Sequence, residues 1–197
     1  MKVFDFDGTL IDLWPRYYAV FCEAANAQTI AFAAYKKIKK RFQRDALVAE
    51  QLGVELTDNY FSRKKVLLED ENFLKLDVPL FSPDEIQAML GEDAIILSKR
   101  RNARSFYQEL DSLGIRCKSY ILKKGDKIDW LSKLPSEGDN IMIGDSLQDL
   151  SVAGLPNYSA WMVGYGLNTY EQFVSTGIPF TYMESPVDLL KKMRERR

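Results

Sequence analysis

The chain has 197 residues, of which 46% are hydrophobic and 28% are charged, and these proportions are typical of a soluble globular protein. Its 27 Lys and Arg residues balance 28 Asp and Glu residues, so the overall charge provides no electrostatic argument for a nucleic-acid or membrane-surface partner. Because histidine is absent, Ser-His-Asp triads, phosphohistidine chemistry and imidazole-bound zinc are excluded. Two distant cysteines, and the lack of any apolar run long enough to cross a bilayer, predict a cytoplasmic protein.

The first predicted element is a short strand at Lys2–Phe4. Residues 13–91 contain almost no strand pattern, and they are rich in helix-forming and aromatic residues at helical spacing. Within them, the run Ser82-Pro83-Asp84-Glu85 is typical of a helix start. We therefore expect a helical domain over residues 13–91.

After residue 92, short apolar strands alternate with amphipathic helices. The predicted strands cover residues 93–97, 115–122, 140–143, 159–163 and 180–183. Such alternation is typical of right-handed crossovers and a parallel sheet. The predicted fold class is α/β, with a Rossmann-like parallel sheet core built from residues 1–12 and 92–197 and interrupted by the helical domain over residues 13–91.

Two aspartates follow the first strand, in the run Asp5-Phe6-Asp7-Gly8-Thr9-Leu10. In an extended backbone, residues two apart point to the same side, so the side chains of Asp5 and Asp7 converge. Gly8 permits a sharp turn or a positive φ directly after them. Ligands of open α/β sheets bind beyond the carboxyl ends of the strands, and two carboxylates there predict a hard divalent cation such as Mg²⁺. A plain surface turn is the alternative, because Asp and Gly are common turn residues.

A second acidic motif, Ile143-Gly144-Asp145-Ser146-Leu147-Gln148-Asp149, follows another predicted strand. Asp145 and Asp149 are four residues apart, so they share one face if a helix begins near Ser146. An ordinary helix cap is the alternative, because Gly-Asp-Ser is also a common signal at a helix N-terminus. Together with Asp5 and Asp7, this second pair favours one acidic site built from two strand ends.

The two motifs resemble those of the haloacid dehalogenase superfamily, whose phosphatases begin with Asp-x-Asp-Gly-Thr/Ser and complete their acidic site with Gly-Asp-x-x-x-Asp. The resemblance implies a Ser or Thr at the end of the second core strand, and Ser98 lies there. It also implies a Lys at the start of the helix before the Gly-Asp motif, where Lys127 competes with Lys123 and Lys124. Ser98 and Lys127 would bind the transferred phosphoryl group. The order and spacing match over nearly the whole core, and the helical insertion resembles that family's helical cap.

The resemblance also implies a role for each aspartate. Asp5 is expected to attack phosphorus and form an aspartyl-phosphate, while Asp7 protonates the leaving alcohol and then activates water. Mg²⁺ would be held by Asp5, the backbone carbonyl of Asp7 and Asp145. Asp149 would be either a further ligand or a support for the others.

The predicted function is Mg²⁺-dependent hydrolysis of a small phosphorylated metabolite, with no membrane or nucleic acid as partner. Asp7 favours phosphate esters over haloacids, because an alkoxide leaving group benefits from an acid and a halide does not. A phosphotransferase or mutase of the same superfamily, or a non-catalytic protein that binds a phosphorylated ligand, is the alternative. Lys99, Arg100 and Arg101 directly follow Ser98, and we expect one or two of them to point toward the phosphate site.

Overall fold

The computed structural model of the chain describes residues 1–27, 30–135 and 137–196. Gln28 and Thr29 of the predicted helical domain, and Ser136 and Arg197 of the predicted core, lie outside the described residues. None of the described helices is both long and apolar enough to cross a bilayer. In chain order, the described elements are β1 (Lys2–Phe4), β2 (Ile11–Asp12), α1 (Trp14–Ala25), α2 (Phe32–Phe42), α3 (Asp45–Leu52), α4 (Tyr60–Leu67), α5 (Glu71–Leu74), β3 (Val78–Pro79), α6 (Pro83–Leu90), β4 (Ala94–Ser98), α7 (Ala103–Ser112), β5 (Lys118–Ile121), α8 (Lys127–Leu131), β6 (Asn140–Gly144), α9 (Leu147–Ser151), a 3-10 turn (Val152–Gly154), β7 (Tyr158–Val163), α10 (Tyr170–Val174), β8 (Thr181–Met183) and α11 (Pro186–Glu195).

Among the described residues, six strands form one sheet in the order β5-β4-β1-β6-β7-β8. Every neighbouring pair in this sheet is parallel. The first strand of the chain lies inside the sheet, because Phe4 pairs with Ile96 of β4 on one side and with Ile143 of β6 on the other. The predicted α/β class and parallel sheet are confirmed.

Successive residues of the central strands face two separate apolar layers. Phe4, Ile96 and Ile143 pack into one buried cluster, which includes residues of α6, α7 and α11. Val3 and Met142 pack into a second cluster on the opposite face. Side chains alternate between the faces of a strand, so a sheet that is covered on both faces needs continuous apolar strands. That requirement explains the uninterrupted apolar runs that mark β4 and β6.

The described chain separates into two compact units, Met1–Asp12 with Pro79–Arg197 and Leu13–Val78. The second boundary therefore falls before Pro79, whereas the sequence pattern predicts it after residue 91. The reason is the helix α6, which begins at the predicted helix start, with a capping box of Ser82 and Glu85, but packs with the sheet. Its Ile86, Met89 and Leu90 are buried in the same cluster as Phe4. Helical periodicity identifies such a helix but does not reveal which core buries it.

The helical unit, Leu13–Val78, has an aromatic interior and buried ion pairs of its own. The ring centroid of Phe21 lies 5.0 Å from that of Tyr35 and 5.9 Å from that of Tyr60. Nζ of Lys39 lies 2.7 Å from Oδ1 of Asp45, and both side chains are buried. Lys64 contacts the other oxygen of Asp45. Aromatic packing and paired charges therefore both contribute to the interior of this unit.

Candidate active site

The carboxyl ends of three adjacent strands bring the predicted site residues to one edge of the sheet. Asp5 directly follows β1, Ser98 ends β4 and Asp145 directly follows β6. Asp5 continues the β1–β6 ladder by one residue, because its backbone N–H donates to the carbonyl of Ile143 at 2.8 Å. Parallel strands end at the same edge, so residues far apart in sequence become neighbours there.

Three carboxylates lie together at this edge. Asp5, Asp145 and Asp149 are all buried, and one oxygen from each lies within 4.8 Å of the others. Burial raises the pKa of Asp5 to about 7; the charge of Lys127 opposes this rise and that of Asp149 adds to it. Burial also raises the pKa of Asp145 well above its ordinary value, and the charges of Asp5 and Asp149 raise it further. The cluster therefore favours either bound protons or a cation.

Of the three candidate lysines, Lys127 is the one that lies in this cluster. Its Nζ lies 2.7 Å from Oδ1 of Asp5 and 2.6 Å from Oδ1 of Asp149. The side chain is 2% exposed, whereas Lys123 and Lys124 are both exposed. Burial alone would lower the pKa of Lys127, but the charges of Asp149 and Asp5 outweigh burial and raise that pKa. With its carboxylates ionised, the cluster has three negative charges and one positive charge.

Asp149 uses both of its carboxylate oxygens within the protein. Oδ1 accepts from Lys127, while Oδ2 accepts from the backbone N–H of Ser146 at 3.0 Å and from its hydroxyl at 2.6 Å. Ser146 and Asp149 therefore form a capping box at the start of α9. Gly144 is required beside them, because a Cβ there would lie 2.3 Å from Cγ of Asp149. The Asp149 carboxylate therefore caps the helix and binds the lysine at the same time.

Asp145 is held by the loop that follows β7, which the two acidic motifs do not include. The backbone N–H of Leu167 donates to its Oδ2 at 2.7 Å, and the backbone N–H of Asn168 donates to its carbonyl at 3.1 Å. A Cβ on Gly166 would lie 2.2 Å from Oδ2, so only glycine fits there. Among the described residues, Oδ1 of Asp145 is buried without a hydrogen-bond partner. The Gly-Tyr-Gly run after β7 is the sequence signal for this loop.

Tyr165 of the same loop connects it to the loop that follows β1. Its hydroxyl donates to the carbonyl of Thr9 at 3.1 Å. Between Asp7 and Thr9, Gly8 has a φ of 79°, a positive value of the kind that glycine permits at this position. The loops after β1 and β7 are therefore joined directly, although their sequence positions give no sign of it.

Asp7 has a basic partner of its own, Arg100, which lies between β4 and α7. Nε of Arg100 donates to Oδ2 of Asp7 at 2.9 Å, and Nη2 donates to Oδ1 at 2.7 Å. Nη1 of the same guanidinium contacts Glu109 of α7. Burial alone would lower the pKa of Arg100, but the charges of Asp7 and Glu109 hold it well above its ordinary value. Of the basic residues that follow Ser98, Arg100 is thus the one buried at the site.

Ser98 is fully buried at the end of β4. Its hydroxyl oxygen accepts from the backbone N–H of Arg100 at 3.2 Å, which leaves its own O–H as a donor. Its carbonyl accepts from the backbone N–H of Leu122 at 2.8 Å, so the β4–β5 ladder extends to the strand end. Ser98 therefore lies at the carboxyl edge of the sheet, where the backbone N–H groups of Arg100 and Leu122 both donate to it.

The chain is similar in fold to several solved structures. No family model matches the chain, and no curated protein matches it. Among solved structures, a predicted phosphatase from Clostridium acetobutylicum is 20% identical with a TM-score of 0.67, and the match covers 98% of this chain and 97% of that one. A predicted phosphoglycolate phosphatase from Haemophilus somnus 129PT is 15% identical with a TM-score of 0.66, covering 100% and 97%.

A third similar structure comes from Thermotoga maritima, from a protein whose assignment as a beta-phosphoglucomutase is provisional. It is 16% identical with a TM-score of 0.58, and the match covers 98% of both chains. A further similar structure, from Bacteroides fragilis, is described as haloacid dehalogenase-like. At these identities the likeness concerns the fold. The chain has the α/β fold of haloacid dehalogenase-like phosphatases and hydrolases.

Proposed function

We propose that this chain is a Mg²⁺-dependent phosphomonoesterase that acts through an aspartyl-phosphate. The observation that carries the proposal is the buried group of Asp5, Asp145, Asp149 and Lys127 at the carboxyl edge of the sheet. A nucleophilic carboxylate, a lysine beside it and two further carboxylates are the groups that phosphoryl transfer needs, because such transfer depends on positioning and on charge neutralisation.

In the first half of the reaction, a carboxylate oxygen of Asp5 attacks phosphorus and the bond from phosphorus to the ester oxygen breaks. Asp7 gives its proton to that departing oxygen. In the second half, Asp7 takes a proton from water, the water oxygen attacks phosphorus, and the Asp5–phosphorus bond breaks. Lys127, which is 2.7 Å from Asp5, would bind the phosphoryl oxygens, and the buried Ser98 O–H would donate to them.

The acidic cluster supports Mg²⁺ as the cofactor. It offers only oxygen ligands, it has an excess of negative charge, and Oδ1 of Asp145 is buried without a partner among the described residues. A hard divalent cation suits such a donor set. Asp5, Asp145 and the backbone carbonyl of Asp7 would hold the ion. When bound, Mg²⁺ would neutralise negative charge on the phosphoryl group during transfer.

We assign Asp149 to the support of this site, because Lys127 and Ser146 already occupy its two oxygens. Isothermal titration with Mg²⁺ tests the assignment. Asp145→Asn is expected to abolish measurable binding, whereas Asp149→Asn weakens it by about 10- to 100-fold, as is usual for residues that orient metal ligands. Equal loss in both variants would make Asp149 a direct ligand.

The proposed substrate is a small phosphorylated metabolite of the cytoplasm. The two cysteines are free thiols, which suits a reducing compartment. The helical unit, Leu13–Val78, is inserted between the first two motifs, and we assign it the substrate-selecting role of a helical cap. The fold shared with a provisionally assigned beta-phosphoglucomutase keeps phosphoryl transfer to a second substrate as the alternative.

The decisive experiment measures phosphate release from 4-nitrophenyl phosphate, with Mg²⁺ and with chelator. We expect turnover only with Mg²⁺, and we expect Asp5→Asn to abolish it. Asp129→Asn, a matched change at an exposed aspartate of α8, should leave turnover intact. Turnover that persists in Asp5→Asn would show that Asp5 is not the nucleophile. A new phosphorylated product without phosphate release would indicate the mutase, and ligand binding without either product would indicate a binding protein.

A further inference from the structure

The pairing of Arg100 with Asp7 is a two-point contact. Two different nitrogens of the guanidinium, Nε and Nη2, donate to the two different oxygens of the carboxylate, at 2.9 and 2.7 Å. This parallel arrangement defines the plane of the carboxylate as well as its position, which a single hydrogen bond does not do. The orientation of Asp7 is therefore set from its side-chain partner and not by its backbone alone.

Arg100 is itself held on several sides. Its Cζ lies 4.9 Å from the centroid of the Phe6 ring, and Phe6 packs edge-on against Phe106 of α7 at 5.3 Å. Glu109 contacts its third nitrogen, and the hydroxyl of Ser98 accepts from its backbone N–H. A guanidinium with an aromatic ring beneath it and a second carboxylate behind it has little freedom to turn.

The burial of the pair is unequal. The side chain of Arg100 is 2% exposed, whereas that of Asp7 is 19% exposed. Arg100 thus approaches from the protein interior and leaves one side of the carboxylate accessible. A carboxylate that exchanges a proton with a substrate needs such access.

We propose that Arg100 is a positioning residue for Asp7, and that it aligns the carboxylate with the leaving oxygen of the substrate. This role rests on the proposed function, in which Asp7 protonates that oxygen. Glu109 fixes the guanidinium in turn, so the orientation of Asp7 depends on a chain of contacts that begins on α7. Arg100 touches neither the phosphoryl group nor the leaving group in this scheme.

Arg100→Lys is the sharpest variant, because it keeps the positive charge but removes the parallel pair of donors. Arg104→Lys is the matched control, since Arg104 is exposed on α7. The readout is kcat/KM for phenyl phosphate and for 4-nitrophenyl phosphate, whose leaving groups differ in their need for a proton. Arg100→Lys should lower the value about 100-fold for phenyl phosphate and about tenfold for the nitrophenyl ester. Arg104→Lys should change both by less than about twofold.

A double-mutant cycle separates positioning from general damage. In the Asp7→Asn background, Arg100→Lys should cause no further loss, because the residue acts only through Asp7. Equal losses for the two esters, or losses that add fully to those of Asp7→Asn, would overturn the proposal. Glu109→Gln should resemble Arg100→Lys with a smaller effect.

A second measurement needs no turnover. In ¹⁵N NMR spectra, the Nε–H of Arg100, identified by its loss in Arg100→Lys, should exchange slowly with water and should shift in Asp7→Asn but not in Arg104→Lys. If the chemical shift of this Nε–H signal is the same in Asp7→Asn as in the wild-type protein, the proposal is overturned. If this signal behaves as expected while Asp5-dependent turnover is absent, the proposed function fails and the positioning role fails with it. If turnover depends on Asp5 but the two esters respond equally, only the positioning role fails.

Discussion

The ammonium group of Lys127 is bound directly to the carboxylate of Asp5, with 2.7 Å between Nζ and Oδ1. The same nitrogen lies 2.6 Å from Oδ1 of Asp149, so one cation is shared between two buried anions. One positive charge leaves the three clustered carboxylates with excess negative charge when all are ionised. The stability of the metal-free site therefore depends on Lys127, on protons, or on both.

Removal of Lys127 should destabilise the metal-free protein strongly. We expect Lys127→Met to lower the free energy of unfolding by about 3–5 kcal/mol in the presence of chelator, because it leaves buried carboxylates without their counter-charge. Mg²⁺ should restore part of the loss. Lys124→Met is the control, since Lys124 is exposed, and should change the value by less than about 0.5 kcal/mol. Denaturant unfolding checks this, and equal stability of the two variants would contradict it.

The metal-free protein should lose stability as the pH rises toward neutrality. Burial raises the pKa of Asp5 to about 7 in the folded protein, from an ordinary value of 3.8. Between these values the folded state keeps a proton that the unfolded state has released, so the free energy of unfolding falls with pH. The slope for one such group is at most about 1.4 kcal/mol per pH unit. Asp145, whose pKa is also raised, acts in the same direction.

This pH dependence can be measured by denaturant unfolding in chelator between about pH 4 and pH 7. Asp5→Asn should flatten the profile, because asparagine does not titrate, while Asp129→Asn should keep it. Above about pH 7 the contribution of Asp5 levels off. Stability that rises through this interval in the wild-type protein would contradict the prediction.

Gly166→Ala should damage the acidic site selectively. The added Cβ would lie 2.2 Å from Oδ2 of Asp145, so the carboxylate or the loop must move. We expect a loss of about 1–3 kcal/mol in unfolding free energy and a smaller rise in melting temperature on addition of Mg²⁺. Gly154→Ala is the matched control, because among the described residues its Cβ would meet Ile128 at an ordinary 3.9 Å. If both variants respond equally to Mg²⁺, close packing at Gly166 does not matter for the site.

In the helical unit, Asp45 should matter far more than the exposed Glu23. Asp45→Asn leaves the buried Lys39 and its neighbour Lys64 without their shared carboxylate, and we expect a loss of about 3–5 kcal/mol. Glu23→Gln breaks only the exposed pair with Arg63 and should cost less than about 1 kcal/mol. Thermal unfolding of both variants provides the comparison, and similar losses would show that burial of the Asp45 cluster contributes little.

The sequence by itself determined the α/β class and the strand ends that form the site edge. Continuous apolar runs mark β4 and β6 because a sheet covered on both faces requires them. An acidic residue directly follows β1 and another directly follows β6. Asp5 and Asp145 could therefore be assigned to one edge without any knowledge of packing.

Only the tertiary structure decided which distant side chains meet there. Lys123, Lys124 and Lys127 are three lysines of one short segment, and Lys127, the first residue of α8, is the one of the three that contacts Asp5. Arg100 contacts Asp7 because β4, which Arg100 follows, lies beside β1 in the sheet. The assignment of α6 to the sheet-containing unit also depends on packing. Local periodicity indicates which face of a helix or strand is apolar. Which side chains become neighbours depends on strand order and crossovers, because these bring together segments that are far apart in the chain.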